Sequence, residues 1–432
     1  MSIPQHKSTW NNLLFVTLLL IALLLSSCQL KQTPVEDTKN YTQATLHIAV
    51  FDIKGHSTYY EAGKDPILSK LHPIESRILK FLENYPNVKV YFRSVNRDPR
   101  VQRMFEFDSE LPDIIEINPN HARYLIQDRL VDLDVYYDDE MRLWESYNRI
   151  IDSTRIDSKM LLLPVRSEPL IANYNRAIFE KLGIPPPSDN WTWDEFESIA
   201  YQLQQQGYTP TIQRSFNAIE PIIRAFGGEY VGRQPGEVNG YLNSPATIAA
   251  FEKLFKIPLK FEHFYRKGET SIFIATPSTL DLDDGDTEFT AIALPRASDG
   301  SAHNTTFTTG LAISKTTEHP DIAWELIRAI VGDSDEEAMQ FVAYNSFYCF
   351  SYKLPKVSGD KYDQLYKGHL SSKPSTFFTG LHPFLVAGNG SFADFGVGQD
   401  ALKEMLNGAD VADTLGKYAQ IIEEGIPQIF MK

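Results

Sequence analysis

Between residues 44 and 117 short apolar runs alternate with one amphipathic segment, and this alternation constrains the fold more than any other feature of the chain. Leu46-His-Ile-Ala-Val-Phe51 reads as a strand, as do Val88-Lys-Val-Tyr-Phe92 and Pro112-Asp-Ile-Ile-Glu-Ile117. Between the first two, Pro73 to Tyr85 carries apolar residues at Ile74, Ile78, Leu82 and Tyr85, a helical spacing that Pro86 stops. Strand, helix and strand at these distances form a βαβ unit, which requires a parallel sheet. Helical and strand signals continue to alternate to the C-terminus without a short-period repeat.

Further helices carry their own start signals. Thr192 and Glu195 form a capping box in Trp191-Thr-Trp-Asp-Glu-Phe196, with Trp191 and Phe196 at the two staple positions. Phe196, Ile199, Ala200 and Leu203 share a face, and Gly207 ends the segment. Ser244-Pro245 opens another helix with proline in its first turn. Ser334 and Glu337 make a second capping box. Asp410 precedes a last helix whose Val411, Leu415, Tyr418 and Ile422 share a face.

The N-terminus is different in kind. His6 and Lys7 precede an almost wholly apolar run from Leu13 to Leu25, too short to span a bilayer comfortably, and then Ser26-Ser27-Cys28. This order resembles the bacterial lipoprotein signal, which implies that residues 1–27 are removed and that Cys28 is lipidated. Residues 28–43 are polar and aperiodic, the composition of a flexible tether. Membrane attachment is therefore expected through lipid on Cys28, at the extracytoplasmic face of the cell membrane.

With 432 residues the chain has room for two lobes, each with its own core. A net charge of −15 disfavours nucleic acid and anionic lipid surfaces as partners and fits an exported protein with a neutral or cationic small ligand. There are two cysteines. If Cys28 carries lipid, Cys349 stands alone among apolar neighbours, the setting of a buried inert thiol.

Four stretches together resemble the extracellular solute-binding proteins of the sugar-binding family 1, the receptors of ABC importers. They are Leu111–Ile117 with Ala122–Leu133; Leu163–Ile184 with Trp191–Phe196, the most specific; Thr309–Lys315 leading to Ala323–Ile327; and Ala401–Val411 with the closing helix. They occur in family order over nearly the whole chain after the tether. The resemblance implies an α/β, two-lobed periplasmic-binding-protein-like fold of type II, with a ligand cleft between lobes joined by hinge strands. It divides the chain into 44–164 plus 297–352 as the first lobe and 165–296 plus 353–432 as the second, with crossings near Lys159–Glu168, Leu294–Ala297 and Phe350–Pro355. One departure stands out: Gly268–Ile274 replaces a longer family segment and lacks its methionine, so a trimmed second lobe is in question.

A sugar site wants aromatic platforms and directional polar groups in loops that follow strands. The four tryptophans after Trp10 fall at caps or on helix faces and are expected to pack, leaving stacking to other aromatics. After the first strand, Tyr59, Tyr60 and His56 are candidates, against an ordinary surface loop. After the third, Asn118 and His121 are candidates at a family ligand position, Asn118 being equally a helix cap. Arg166 and Glu168 place charge on an apolar strand-like run, which is costly without a purpose; both are expected to face the cleft, with a structural ion pair as the alternative. The resemblance adds Phe226, Gly227 and Gly228 in the second lobe, and Thr308, Thr309 and Gly310 ahead of a first-lobe strand.

Asp281-Leu-Asp-Asp-Gly-Asp286 lacks the glycine and glutamate spacing of a calcium loop and reads as a solvated acidic loop. No CxxC, HExxH, GxSxG or GxGxxG supports metal, nucleophilic or dinucleotide chemistry, so no cofactor, metal or catalytic residue is assigned. The expected function is capture of a mono- or oligosaccharide by a monomer that delivers it to an ABC permease in the membrane. The alternatives are a ligand-sensing module for a membrane sensor kinase and, more remotely, a lipid-anchored glycoside hydrolase, whose paired carboxylates a sequence cannot exclude.

Overall fold

A computed structural model describes residues 43–51, 57–61, 72–95, 111–119, 122, 126–232, 237–263, 266, 269–276, 289–350 and 396–430. Cys28 with its signal, the tether as far as Thr42, His56, His121, the 281–286 loop and the crossing after Phe350 lie outside them.

The βαβ signal becomes β1 (Ala44–Phe51), helix α1 (Pro73–Asn84) and β3 (Val88–Val95), with the short strand β2 (Ser57–Glu61) inserted after β1. β1 runs parallel to β3, Ala44 opposite Val88 and Phe51 opposite Val95, and parallel to β4 (Ile114–Ile117). Helix α2 (Glu145–Thr154) precedes β5 (Leu163–Pro169). β11 (Thr306–Ile313) lies between β4 and β5, antiparallel to both. Among the described residues the first sheet therefore reads β2-β3-β1-β4-β11-β5.

The second sheet is built from the middle of the chain. β6 (Ile171–Asn175), helix α3 (Arg176–Leu182), helix α4 (Trp193–Gln205), β7 (Thr209–Gln213), helix α5 (Phe216–Ala225), helix α6 (Pro245–Lys256), β8 (Lys260–Glu262), β9 (Thr270–Ala275) and β10 (Phe289–Ile292) follow in order. Its strand order is β10-β6-β9-β7-β8, with β7 parallel to both neighbours and β6 antiparallel to β9 and β10. After β11, helices α7 (Pro320–Val331) and α8 (Asp335–Phe350) pack on the first sheet and α1, whereas α9 (Gly396–Leu406) and α10 (Val411–Phe430) pack with α5 and α6.

Local chemistry explains the boundaries. His72 caps α1: its Nδ1 accepts from the Ile74 N–H, and its own N–H donates to Glu75 at 2.7 Å. At α4 the box closes as expected, Thr192 N–H donating to Glu195 at 2.7 Å and Glu195 N–H to the Thr192 hydroxyl at 3.2 Å. Trp191 meets Phe196 edge to face, centroids 5.7 Å apart. The box at α8 closes differently: Ser334 accepts from the Glu337 N–H, but the Glu337 carboxylate takes the Asp333 N–H and pairs with Arg77 of α1. Trp144, Trp191, Trp193 and Trp324 are all buried, and burying a large apolar side chain contributes about 1.5–3 kcal/mol.

The two sheets are joined on one side by Leu170 alone, between β5 and β6. Residues 165–169, assigned to the second lobe on the sequence, pair along β11 in the first sheet, so the chain changes sheets later than the expected 164/165 boundary. The return path runs from Ile292 to Thr306. Arg296, the last residue expected in the second lobe, is tied to the Trp191–Trp193 segment, and the first sheet resumes at Thr306.

Candidate cleft between the two sheets

In open α/β sheets ligands bind outside the carboxyl ends of the parallel strands. On the first sheet those ends are Phe51, Ile117 and the stretch of β5 up to Pro169; on the second they are Gln213, Glu262 and Ala275. Leu170 places both sets at one hinge.

Asn118 follows β4 directly, half-buried, and its carbonyl accepts from the Ala122 N–H at 3.0 Å. Tyr59 lies on β2 opposite Tyr91. Tyr60 points inward: it is 4 % exposed, and its hydroxyl donates to Glu75. Burial and the Glu75 carboxylate push that hydroxyl well above its ordinary range, so it stays a donor.

Arg166 and Glu168 share a face of β5, both buried. Arg166 reaches across β11 to Glu116 of β4 at 3.2 Å, and Thr309 donates its hydroxyl to the same carboxylate at 2.5 Å. The same guanidinium nitrogen, Nη2, lies 3.2 Å from His72 Nε2. Arg166 and Thr309 thus tie β4, β11 and β5 to the N-terminus of α1, while Glu168 sits nearer the hinge. Thr308 bonds the Ser167 hydroxyl at 2.9 Å. Gly310 occupies a bulge where a Cβ would lie 2.4 Å from Leu162 Cδ1 and 2.6 Å from the Leu163 carbonyl oxygen. These partners bind Thr308, Thr309 and Gly310 into the sheet.

Phe226, Gly227 and Gly228 form the C-terminal end of α5, with the Gly228 N–H donating to the Ile223 carbonyl at 2.9 Å. A helix of this length carries them about 15 Å from the carboxyl end of β7. Phe226 instead packs edge-on to Trp193, with the Lys253 ammonium 4.3 Å above its ring. At Gly228 a Cβ would meet Ile223 Cγ2 at 2.6 Å and Thr247 Cα at 2.9 Å, so close packing of α5 on α6 requires glycine there.

The second-lobe rim instead brings together residues the sequence reading passed over. Arg214 follows β7, and its guanidinium lies 2.7 Å from His263 Nε2, which follows β8. The Arg214 N–H donates to the Glu262 carbonyl at 2.9 Å, and Thr276, after β9, donates its N–H to Gln213 Oε1 at 3.2 Å. Position after a strand was the available signal, but β7 and β8 are too short and mixed to announce themselves by alternation. Together with Asn118 and Glu168 these groups offer donors and acceptors of the kind that read hydroxyl-rich ligands.

The model for bacterial extracellular solute-binding proteins matches residues 73–337. The chain belongs to this family. Its fold is that of the two-lobed sugar-binding proteins of ABC transporters. The sugar-binding protein MalE of Xanthomonas citri superposes with a TM-score of 0.65 at 11% identity, over 89% of this chain and 98% of that one. An ABC substrate-binding protein from Listeria monocytogenes in complex with cycloalternan gives 0.61 at 14%, over 89% and 99%. Maltose-bound MalE3 of T. maritima gives 0.59 at 14%, over 88% and 99%. The family is extracellular, and no helix among the described residues is long and apolar enough to cross a membrane.

Proposed function

We propose that this protein captures a mono- or oligosaccharide in the cleft between its sheets, closes around it, and presents it to an ABC permease while tethered to the membrane by lipid on Cys28. The observation that carries this reading is the family match across the first lobe, the hinge and most of the second. Two solved structures of the same fold hold cycloalternan and maltose, which favours a carbohydrate here. Glu168 and Asn118 from the first lobe, with Gln213, Arg214, His263 and Thr276 from the second, are the proposed ligand contacts. Tyr59 and His121 complete the set. No bond is made or broken, so the protein acts as a receptor and not as an enzyme, and one chain suffices. Lobe boundaries are proposed at Leu170 and within 293–305.

Thermal-shift measurements against maltose, cycloalternan, D-mannitol and glucose test the reading. A ligand at a hundred times its Kd stabilises the folded state by about 2.7 kcal/mol. A rise in Tm with at least one of them is expected, and no rise with any counts against carbohydrate capture. Cys28→Ser is expected to move the protein from the membrane fraction to the soluble fraction of its cells; unchanged partitioning would remove the lipid anchor.

A further inference from the structure

We propose that Asn304 is a hinge latch, a positioning residue that sets the balance between lobe arrangements. The paired backbones of β5 and β11 end at Pro169 opposite Thr306. One step further, the Leu170 N–H reaches the Thr305 carbonyl at 3.1 Å and the Asn304 side-chain oxygen at 3.2 Å. The Asn304 side-chain NH2 donates to the Leu170 carbonyl at 2.9 Å, while its oxygen also accepts from the Thr305 N–H at 2.6 Å. One amide therefore engages both main-chain groups of Leu170, as a neighbouring strand would, at the point where the strand pairing stops.

What lies on either side concentrates motion at this point. Toward the first lobe, β5 is fastened to α8: the Ser167 N–H donates to Ser346 at 2.9 Å, and the Asn345 side chain donates to the Val165 carbonyl at 2.9 Å. Pro169 has a fixed φ and no N–H. Toward the second lobe, the Leu170 side chain is wholly buried in that lobe's core. Hinge rotation is absorbed by a few residues, and among the described residues the backbone about Leu170 and the return path at 304–305 are placed to absorb it. Asn304 spans both. Glu168 stands between the fastened part of β5 and the latch, so the hinge state governs how that carboxylate meets the opposite rim. This consequence for ligand capture rests on the function proposed above; the test of the latch does not.

Single-molecule energy transfer between dyes on unnatural amino acids at positions 139 and 205, exposed on the first and second lobes, reads lobe separation in the full chain without ligand. Asn304→Ala is expected to change the ratio of lobe arrangements by about fivefold or more, the scale set by losing hydrogen bonds of ordinary strength. Asn304→Asp, which keeps the acceptor and loses the donor, is expected to fall between, and it carries the same test if the alanine variant does not fold. An unchanged distribution overturns the latch even where Tm falls, because a purely structural role lowers stability without moving the ratio. Adding maltose to the native protein separates the two proposals: absence of closure weakens the sugar reading and leaves the ligand-free comparison intact.

Discussion

Replacing Arg166 by methionine should destabilise the first lobe by about 4 kcal/mol. The side chains of Arg166 and Glu116 are 4% and 0% exposed, with 3.2 Å between charged atoms. At an effective dielectric of about 20 that separation corresponds to about 5 kcal/mol of attraction. Removing one partner of a buried pair costs about 3–5 kcal/mol, because the remaining charge is held away from water. Arg166→Met leaves the Glu116 carboxylate in place with the Thr309 hydroxyl as one remaining donor. Urea unfolding followed by tryptophan fluorescence should show the midpoint lowered by about 1–2 M. The double variant Glu116→Leu with Arg166→Met, which removes both charges, should recover most of the loss. A single-variant drop below about 0.3 M, or a double variant no better than the single, would refute the assignment of a desolvated pair tying β4 to β5.

Gly310→Ala should lower stability by about 1–3 kcal/mol, read as Tm, because the new methyl meets main-chain atoms of Leu163 that cannot move aside; an unchanged Tm would mean the bulge relaxes. Glu168→Gln should weaken binding of whichever sugar raises the native Tm by about tenfold or more, and unchanged affinity removes Glu168 from the contacts. The Arg77 hydrogen bond holds the Glu337 carboxyl below its ordinary value of 4.5. A lowered carboxyl pKa adds stability that is complete above pH 4.5 and is lost as pH falls through the lowered value. Arg77→Met should therefore flatten the acid limb of the stability profile below pH 4.5, by under about 1 kcal/mol for so exposed a pair; an acid limb as steep as the native one would contradict the linkage.

Period and capping carried most of the architecture into the sequence. Ile74, Ile78 and Leu82 announced α1, and Thr192 with Glu195 announced α4, because both signals are local. Lateral register is not local. A period of two put Arg166 and Glu168 on one face and pointed both at the cleft, but nothing local announced Glu116, which the insertion of β11 between β4 and β5 places within reach of the guanidinium. The Phe226–Gly228 motif was legible, yet its place at the far end of α5 follows from helix direction and length. Arg214 meets His263, and Thr276 meets Gln213, because β7, β8 and β9 end at one level of a sheet whose strand order no single stretch encodes.

Among the described residues, two connections between the sheets differ in slack. On one side Leu170 is the whole span, held from both directions; on the other, residues 293–305 wander past Trp191 and make the exposed turn at Asp299-Gly300 before the chain re-enters the first sheet. A guest domain grafted after Asp299 should therefore leave each core intact and ride on the lobe movement, which makes that turn the natural port for a fluorescent reporter of ligand. The same graft at Leu170 should uncouple the lobes, and loss of ligand-induced protection from proteolysis would register it.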